Sequence, residues 1–380
     1  TVFSTGWQRS PVDPVEYEPE VAPVQLGTHE NPMTSYQLTR FGQPLERVAL
    51  EFPDPVGTEV LIRIEACGVC HSDLHLGDGF FDMGGSQRLD LSKGRELPLT
   101  LGHEIAGTVV AVGPDARGIE VGARRVVYPW IGCGGCDICA SGQEQLCSQS
   151  RALGVTRHGG FSDHVLVAHS RYLFDFGERP VTLACTYACS GLTAYGAIRK
   201  VQSRVDRQPL VVIGLGGVGF AALGLAQALT NATVVGVDVD AETLQAAAGA
   251  GATVVDARDK DAVKQVRRAT GGGAPAVIDF VGAESTATLG FNTLASGGLL
   301  VLVGLFGGQM RTSLPLWPLR SLTVQGSYVG SLDEMGQLMR LAKDGRVPPI
   351  PVKLRPLAQA QVVLDELRAG GAVGRMVLTP

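Results

Sequence analysis

The stretch that decides the fold is Val211-Val-Ile-Gly214-Leu-Gly216-Gly-Val-Gly219, in which the spacing Gly-x-Gly-x-x-Gly follows an apolar run. Glycine at these positions allows a tight turn and a close approach of the backbone to a pyrophosphate at the start of a helix. A lone match is weak evidence, but a strand-like segment before it and a helix-like segment after it supply the required context. The sequence therefore predicts a dinucleotide-binding turn formed by Gly214, Gly216, Gly217, Val218 and Gly219.

Apolar runs separated by helical stretches continue from this turn. Counting the run that precedes the turn, they cover residues 210–213, 234–237, 253–255, 276–280, 299–303 and 322–325. This alternation predicts an α/β domain with a doubly wound parallel sheet. Asp238 ends the second run, where a carboxylate is expected to meet the ribose 2′-hydroxyl of NAD. The alternative is an ordinary loop acid, which is what we expect of Asp240.

The chain before this domain has a different pattern. Short β-like runs, such as 59–65, 105–112 and 125–128, alternate with glycine and proline turns and predict an irregular antiparallel β domain. After the parallel sheet, a capping box from Ser331 to Glu334 begins a helix, and the strand-like residues 375–378 close the chain. We expect an N-terminal arm over 1–33, a catalytic domain over 34–190 completed by 331–380, and a dinucleotide-binding domain over 191–330.

Composition excludes several classes of protein. With 380 residues, 45% apolar and 18% charged, the chain is typical of a globular protein of two domains. A net charge of −5 does not favour nucleic acid or an anionic membrane as partner. Residues 210–229 carry no charge, but their glycines favour a buried strand and helix over a membrane span. Because no secretory signal pattern opens the chain, we expect a cytoplasmic protein.

Four cysteines lie close together in a glycine-rich segment: Cys133, Cys136, Cys139 and Cys147. Four thiolates at this spacing can surround a tetrahedral Zn²⁺. An iron–sulfur cluster and two disulfides are the alternatives, although the proline that usually follows the last cysteine of a ferredoxin motif is missing. A zinc ion with four protein ligands has no open position, so this site should stabilise the fold and not catalyse.

A second set of metal-binding residue types is spread over three segments. Alone, Cys70 or Cys189 is more often a small buried hydrophobe than a ligand. Together with His103, they form a three-ligand set that leaves the fourth position of zinc open to water or an alcohol. Cys185 could compete with Cys189 as the third ligand, and Cys67 is expected only to pack.

The ordered set of motifs resembles the zinc alcohol dehydrogenases of the medium-chain dehydrogenase/reductase family. It runs from Gly68-Val-Cys-His-Ser-Asp-Leu-His75 through Leu101-Gly-His-Glu104 and the four-cysteine loop to Cys189-Ser-Gly-Leu-Thr-Ala-Tyr195 and the glycine-rich turn. The resemblance extends from about residue 34 to the end. It implies a GroES-like β domain joined to a Rossmann domain, with NAD as cofactor and two Zn²⁺ per chain, one catalytic and one structural.

The resemblance also implies roles for the residues around the catalytic zinc. The ligands would be Cys70, His103 and Cys189. Asp73 would orient the ligand histidine, and Glu104 would be a carboxylate behind the metal. Ser72 and His75 would form a proton relay that carries the alcohol proton to solvent by way of the cofactor ribose.

Contacts to the cofactor follow in the same way from the resemblance. His71 matches a phosphate contact, and Arg375 matches an arginine on the pyrophosphate, although a surface arginine is an equal alternative. Thr193, Val303 and Leu305 match positions beside the nicotinamide. The implied reaction is hydride transfer between a primary or secondary alcohol and NAD, which gives an aldehyde or ketone.

The region between His75 and His103 holds about a dozen residues more than the family pattern, and we expect this insert to border the substrate entrance. Phe80, Phe81 and Trp130 favour a bulky apolar alcohol. The alternatives are a zinc-free reductase of the same superfamily, a zinc dehydrogenase of polyols or sugars, and a non-enzymatic dinucleotide-binding protein. We expect a homodimer or homotetramer, with residues 299–303 and 322–325 near the interface and the arm across a neighbouring subunit.

Overall fold

The structure is a computed structural model that describes residues 33–93, 95–370 and 373–380. The predicted arm lies outside the described residues except for its last one, Met33. The expected contact of the arm with a neighbouring subunit therefore stays a prediction.

Residues 33–201 form mainly β-structure with short helices. The strands are β1 (Met33–Leu38), β2 (Glu46–Leu50), β3 (Val60–Gly68), β4 (Phe80–Gly84), β5 (Gln87–Asp90), β6 (Leu99–Thr100), β7 (Glu104–Val112), β8 (Arg124–Val127), β9 (His164–Val167) and β10 (Leu173–Phe174). The helices are α1 (His71–Asp78), α2 (Asp137–Ala140), α3 (Val181–Ala184) and α4 (Ser190–Val201).

The rest of the chain alternates strands and helices and then returns to the first sheet. The strands are β11 (Pro209–Ile213), β12 (Thr233–Asp238), β13 (Thr253–Asp256), β14 (Ala274–Asp279), β15 (Leu294–Leu302), β16 (Thr323–Gly326), β17 (Val352–Pro356) and β18 (Arg375–Thr379). The helices are α5 (Gly217–Leu229), α6 (Ala241–Gly249), α7 (Ala262–Ala269), α8 (Glu284–Thr293), α9 (Leu316–Arg320), α10 (Leu332–Lys343) and α11 (Ala360–Ala369).

The larger β-sheet has the order β10-β8-β7-β3-β18-β17, and β9 also pairs with β3. Its pairs are antiparallel, as predicted, except for the parallel pair β17 and β18. The last strand returns to this sheet, with Val377 opposite Gly68 and Leu378 opposite Cys67. The C-terminus therefore contributes to the same sheet as the segment that leads to Cys70. The sequence did not predict β17.

The second large sheet is fully parallel, in the order β13-β12-β11-β14-β15-β16. The predicted doubly wound sheet is confirmed, and all six predicted runs fall on strands. Helices cover both faces of such a sheet, so its central strands can be continuously apolar. All but the first residue of β11 are buried. The largest difference between the predicted and observed strands is at β15, which begins at Leu294 instead of residue 299. This strand pairs with β14 through an irregular register.

The uncharged residues 210–229 form most of β11 and the whole of α5, in agreement with the expected strand and helix. Among the described residues no single helix is long and apolar enough to cross a membrane, although the bent pair Val181–Ala188 and Ser190–Arg204 meets the criteria of length and composition.

The two segments expected near a subunit interface differ in position. β15 pairs with β14 on one side and β16 on the other, so residues 299–302 lie inside the sheet. Of the two described strands that contain these segments, only β16 lies at an edge of the sheet. Of the two, β16 alone therefore offers an edge to a second copy of the chain.

Candidate active site

The three predicted catalytic ligands come from separate elements and meet in the interior. Cys70 is the N-cap of α1, His103 immediately precedes β7, and Cys189 is the N-cap of α4. One ligand atom of each lies within 4.8 Å of the others, and all three residues are buried. Cys185 is buried but lies outside this group among the described residues, so the geometry favours Cys189, as the sequence did.

Asp73 holds two of these ligands in place. It is fully buried, and its Oδ2 accepts a hydrogen bond from the backbone N–H of Cys70 at 2.8 Å. Its Oδ1 accepts from the N–H of Gly102 at 3.3 Å and lies 3.2 Å from Nδ1 of His103. The imidazole contact has the distance of an ion pair but not the alignment of a hydrogen bond. Asp73 therefore fixes both the start of α1 and the position of His103.

The second ring nitrogen of His103 provides a test of whether the site fits a metal ion. Nε2 is buried and has no hydrogen-bond partner among the described residues. An unsatisfied buried nitrogen costs about 1–3 kcal/mol. A metal ion bound between this nitrogen and the thiols of Cys70 and Cys189 would remove that cost. Two sulfurs and one imidazole nitrogen are also ligands that zinc prefers.

The charges around the cluster favour a thiolate. The Cys189 thiol donates a hydrogen bond to Cys70, and this bond lowers the pKa of Cys70. Burial raises this pKa, but the charges of Arg375 and His103 lower it again, so that it lies well below its usual range. For His103 burial lowers the pKa, but the Asp73 carboxylate outweighs it and the net pKa is raised. A thiolate is the form of cysteine that binds a metal.

Behind the cluster, Glu104 and Arg375 form a buried ion pair. Nε of Arg375 donates to Oε2 of Glu104 at 2.8 Å, and Nη2 donates to Oε1 at 2.5 Å. Oε1 also accepts from the backbone N–H of Ser190 at 2.8 Å, next to Cys189. Burial lowers the pKa of Arg375, but the neighbouring Glu104 carboxylate helps to raise it by more than burial lowers it. The net pKa is raised, so the guanidinium stays charged. Arg375 is only 6% exposed, and the alternative of a surface arginine is wrong.

Arg375 also contacts the dinucleotide turn. A Cβ atom on Gly217 would lie 3.0 Å from Cδ of Arg375. The arginine therefore stands between Glu104, behind the ligand cluster, and the start of α5. This position is compatible with the predicted pyrophosphate contact.

The glycine-rich turn has the shape that the motif requires. Gly214 has φ of +82°, a conformation that favours glycine, and a Cβ on Gly219 would lie 2.0 Å from the carbonyl oxygen of Gly214. Gly216 instead faces open space, because a Cβ there would have no heavy atom of the described residues within 4 Å. α5 begins at Gly217, so its first N–H groups lie beside this space. A pyrophosphate fits such a site, because an open backbone and a helix N-terminus both favour an anion.

Asp238 lies at the end of β12, beside the turn. One carboxylate oxygen accepts from the N–H of Leu215 at 2.6 Å, and the other from the N–H groups of Val239 and Asp240 at 2.7 and 3.0 Å. The residue therefore holds the turn as well as standing where the ribose is expected. Asp240 is not an ordinary loop acid: it caps α6 by accepting from the N–H of Thr243 at 2.8 Å.

The predicted relay residues lie on α1. Ser72 is half-buried, and among the described residues it shares no hydrogen bond with His75. The His75 ring lies 5.7 Å from that of His71 and 4.9 Å from that of Phe81. Burial, aided by the charge of His71, lowers the pKa of His75. Because His75 is neutral at pH 7, its ring can accept a proton.

The remaining predicted cofactor contacts lie on α1, on α4 and in the segment after β15. His71 is exposed, and its ring lies 6.5 Å from that of Phe306, which follows β15. Leu305 is 42% exposed and Val303 is half-buried. Thr193 is buried in the first turn of α4, where its N–H donates to the carbonyl of Cys189 at 2.7 Å. The contact between His71 and Phe306 thus brings α1 next to the segment after β15.

The insert after α1 forms a hairpin that the sequence did not predict. β4 and β5 pair antiparallel, with Phe80 opposite Asp90. A Cβ on Gly84 would lie 2.6 Å from Cγ of Gln309, and one on Gly307 would lie 2.5 Å from the carbonyl of Asp82. The hairpin therefore packs on the segment after β15, and its expected position at the substrate entrance stays a prediction.

The four-cysteine loop brings its sulfur atoms together at the distances of a single metal ion. The closest pairs are 3.5, 3.8 and 4.0 Å apart, and all four atoms lie within 4.8 Å of one another. Zinc–sulfur bonds of about 2.3 Å in a tetrahedron place the sulfurs about 3.8 Å apart. A disulfide needs about 2.05 Å, so the disulfide alternative does not fit. A cluster of several irons binds its cysteines to different irons and needs wider separations.

Several residues of the site carry no motif in the sequence. Tyr328 packs edge-on against Trp130 at 5.8 Å, and the Trp130 ring lies 5.2 Å from that of His103. Nε1 of Trp130 donates to the carbonyl of Ala188 at 3.0 Å, which fixes the turn before Cys189. Trp130 stands near the motifs in the sequence, and that position made it a candidate. Tyr328 has no such local signal, because only the fold brings it to the cleft.

The residue that supports the four-cysteine loop also carries no motif in the sequence. Glu144 is buried and accepts from the N–H of Gly132 at 3.2 Å, from the hydroxyl of Tyr172 at 2.8 Å and from Nη2 of Arg171 at 2.8 Å. These contacts attach the loop to the segment before β10. Nothing in the local sequence distinguishes Glu144 from a surface acid.

Comparison with known proteins agrees with this geometry. The alcohol dehydrogenase GroES-like domain family matches residues 57–176, and the zinc-binding dehydrogenase family matches residues 217–344. An NAD-dependent alcohol dehydrogenase of Sulfurisphaera tokodaii is 41% identical over 351 residues, which cover 92% of this chain and 100% of that protein. The crystal structure of an alcohol dehydrogenase from Aeropyrum pernix is similar with a TM-score of 0.83 and 31% identity, over 91% of this chain and 100% of that one.

A sugar dehydrogenase is also similar. The D-arabinose dehydrogenase of Sulfolobus solfataricus has a TM-score of 0.78 and 31% identity, over 92% of this chain and 99% of that one. Both the relative with 41% identity and the structure with the higher TM-score are alcohol dehydrogenases. The chain therefore belongs to the zinc-binding alcohol dehydrogenases of the medium-chain dehydrogenase/reductase family, and it is an oxidoreductase. The predicted GroES-like and Rossmann folds are confirmed, and the non-enzymatic alternative is wrong.

Proposed function

We propose that this enzyme transfers a hydride between a primary or secondary alcohol and NAD, with one catalytic and one structural Zn²⁺ per chain. The observation that carries the proposal is the buried group of Cys70, His103 and Cys189, which offers three ligand atoms within 4.8 Å of one another. The relatives named as NAD-dependent alcohol dehydrogenases support the same reaction. Three protein ligands suit a catalytic zinc site, because the fourth position stays available to substrate.

Each bound group would supply one part of the chemistry. A Zn²⁺ held by Cys70, His103 and Cys189 would act as a Lewis acid toward the alcohol oxygen. NAD bound at the turn from Gly214 to Gly219 would accept the hydride.

The protein residues position these parts and move the proton. Asp73 holds His103 and the start of α1, so the ligand geometry does not depend on the substrate. Ser72 would accept the proton of the alcohol hydroxyl, and His75 would carry it toward solvent. The lowered pKa of His75 supports this role, because a neutral imidazole is needed as the base. Arg375 would neutralise part of the pyrophosphate charge while it holds Glu104.

Metal content and turnover test the proposal with a matched pair of cysteine variants. Cys70→Ser should lose one of two zinc ions per chain and nearly all alcohol oxidation, measured by mass spectrometry of the metals and by NADH absorbance. Cys185→Ser is the control, because Cys185 is equally buried but lies outside the ligand group. Full activity in Cys70→Ser, or iron in the purified enzyme, would contradict the assignment.

The assembly and location of the enzyme are further parts of the proposal. We propose a homodimer or homotetramer in which β16 pairs with a second copy, because β16 is an edge strand and the nearby Leu314 and Leu319 are 79% and 80% exposed. The predicted domain boundaries are retained, supported by the six parallel strands between residues 209 and 326. Free thiols in both cysteine groups need a reducing compartment, and we propose the cytoplasm.

A further inference from the structure

Arg95 lies in the inserted segment between β5 and β6. Its Nε donates to the carbonyl of Val155 at 3.1 Å, and its Nη1 donates to the carbonyl of Leu91. These two contacts hold the guanidinium in one orientation. Among the described residues, Nη2 has no hydrogen-bond partner, so one end of the guanidinium is available to a ligand.

Backbone contacts place Arg95 near the aromatic side of the site. The segment that contains Val155 is bonded to both sides of Trp130. The N–H of Leu153 donates to the carbonyl of Pro129 at 3.0 Å, and the N–H of Arg151 donates to the carbonyl of Ile131 at 2.8 Å. Val155, whose carbonyl accepts from Arg95, is therefore two residues from Leu153, which is hydrogen-bonded to the residue before Trp130.

The aromatic wall leads from the metal ligands toward Arg95. The ring of His103 is followed by that of Trp130 at 5.2 Å and then by that of Tyr328 at 5.8 Å. Tyr328 is 44% exposed. Burial raises its pKa to about 12, and the charge of Arg95 opposes this rise.

Arg95 forms no ion pair with the described residues. No carboxylate of the described residues lies within 4.0 Å of its guanidinium, whereas six other arginines of the described residues form ion pairs. Burial lowers the pKa of Arg95, which indicates that its surroundings disfavour the cation. A half-buried cation without a carboxylate partner is stabilised by an anionic ligand, and a guanidinium binds a carboxylate through two parallel hydrogen bonds.

We propose that Arg95 is a substrate-binding residue that recognises a carboxylate at the end of the alcohol remote from the hydroxyl. The preferred substrates are then hydroxycarboxylates with an apolar body, which packs on Trp130 and Tyr328. This inference rests on the proposed function and narrows its substrate class. It narrows the expected bulky apolar alcohol to one whose apolar body ends in a carboxylate.

The test compares each hydroxycarboxylate with an uncharged alcohol of similar shape. The pairs are 4-(hydroxymethyl)benzoate with 4-methylbenzyl alcohol, and 6-hydroxyhexanoate with 1-hexanol, each oxidised by the zinc-loaded enzyme with NAD. The wild type should have the higher kcat/KM for the carboxylate of at least one pair. Arg95→Met should lower that kcat/KM about ten- to hundredfold, mainly through KM, because a hydrogen bond to a charged group contributes about 1.5–3 kcal/mol. The uncharged alcohol should be unaffected.

Two further variants separate binding from support of the fold. Arg95→Lys should keep part of the preference, since it keeps the charge. Arg88→Met is the matched control, because Arg88 belongs to the same insert but lies over the Phe80 ring at 3.9 Å. It should leave the preference unchanged.

The outcomes distinguish this inference from the proposed function. If the uncharged alcohols are oxidised and Arg95→Met leaves the ratio of the two kcat/KM values unchanged, the inference is wrong and the proposed function stands. If Arg95→Met lowers both values equally together with the melting temperature, Arg95 only ties the insert to Val155, and the inference is again wrong. If the zinc-loaded wild type oxidises no alcohol of either pair, the proposed function fails and the inference fails with it.

Discussion

Removing the charge of Arg375 should destabilise the enzyme far more than removing the charge of Arg368. Both arginines bind a carboxylate through two hydrogen bonds of similar length, 2.8 and 2.5 Å to Glu104 and twice 2.8 Å to Asp78. They differ in burial: the side chains are 7% and 0% exposed in the first pair but 54% and 25% in the second. The two pairs therefore form a matched comparison of a buried and an exposed ion pair.

The magnitude follows from this difference in burial. In Arg375→Met the apolar stem is largely retained, but the Glu104 carboxylate keeps only the N–H of Ser190 as a partner among the described residues. Leaving a buried charge unpaired costs about 3–5 kcal/mol. In Arg368→Met the lone Asp78 carboxylate is hydrated, and an exposed pair contributes only about 0.2–1 kcal/mol. We expect the free energy of unfolding to fall by about 3–5 kcal/mol in Arg375→Met and by about 0.2–1 kcal/mol in Arg368→Met.

Urea unfolding of the zinc-saturated, NAD-free variants measures both values. The midpoints should shift while the slopes stay the same, which shows that stability alone has changed. Glu104→Gln combined with Arg375→Met should recover part of the loss, since no unpaired charge then remains, with a coupling of up to about 3 kcal/mol. Equal losses in the two single variants, or a double variant with the summed loss, would refute the argument that burial decides the contribution.

Three further predictions concern the metal, the relay and the cofactor. Cys139→Ser should lose the structural zinc and chiefly lower the melting temperature, and a variant as stable as the wild type would remove the structural role. His75→Ala should slow alcohol oxidation near neutral pH and recover as pH rises, because solvent base replaces the imidazole. In the wild type, the lowered pKa of His75 should place the acid limb of the pH dependence of kcat/KM below pH of about 6.5. The same pH dependence in His75→Ala would exclude the relay. Asp238→Gly with Val239→Arg should shift the ratio of kcat/KM values from NAD toward NADP, because Val239 is 53% exposed and an arginine there can reach a phosphate. The double variant should also bind NAD more weakly, since the Leu215 N–H loses its acceptor. Equal use of both cofactors by the wild type would contradict the role of Asp238.

Local motifs explain why the sequence predicted so much of this enzyme. The four cysteines lie within one short loop, and the glycine-rich turn is contiguous, so chain geometry alone brings their atoms together. Continuous apolar runs likewise predicted the parallel strands, because both faces of that sheet are covered. The resemblance to a family then assigned the dispersed ligands Cys70, His103 and Cys189.

Contacts between distant segments were not predictable, because no local pattern specifies them. Glu104 and Arg375 are separated by 271 positions, and only the pairing of β18 with β3 makes them neighbours. The hairpin of the insert, the place of Tyr328 on the cleft wall and the orientation of Arg95 likewise depend on how segments pack. The sequence by itself determined which chemistry the chain can carry, since ligand type and spacing are local properties. Tertiary structure decided which charges are buried together and which side chains face the substrate, since burial and pairing arise only when remote segments meet.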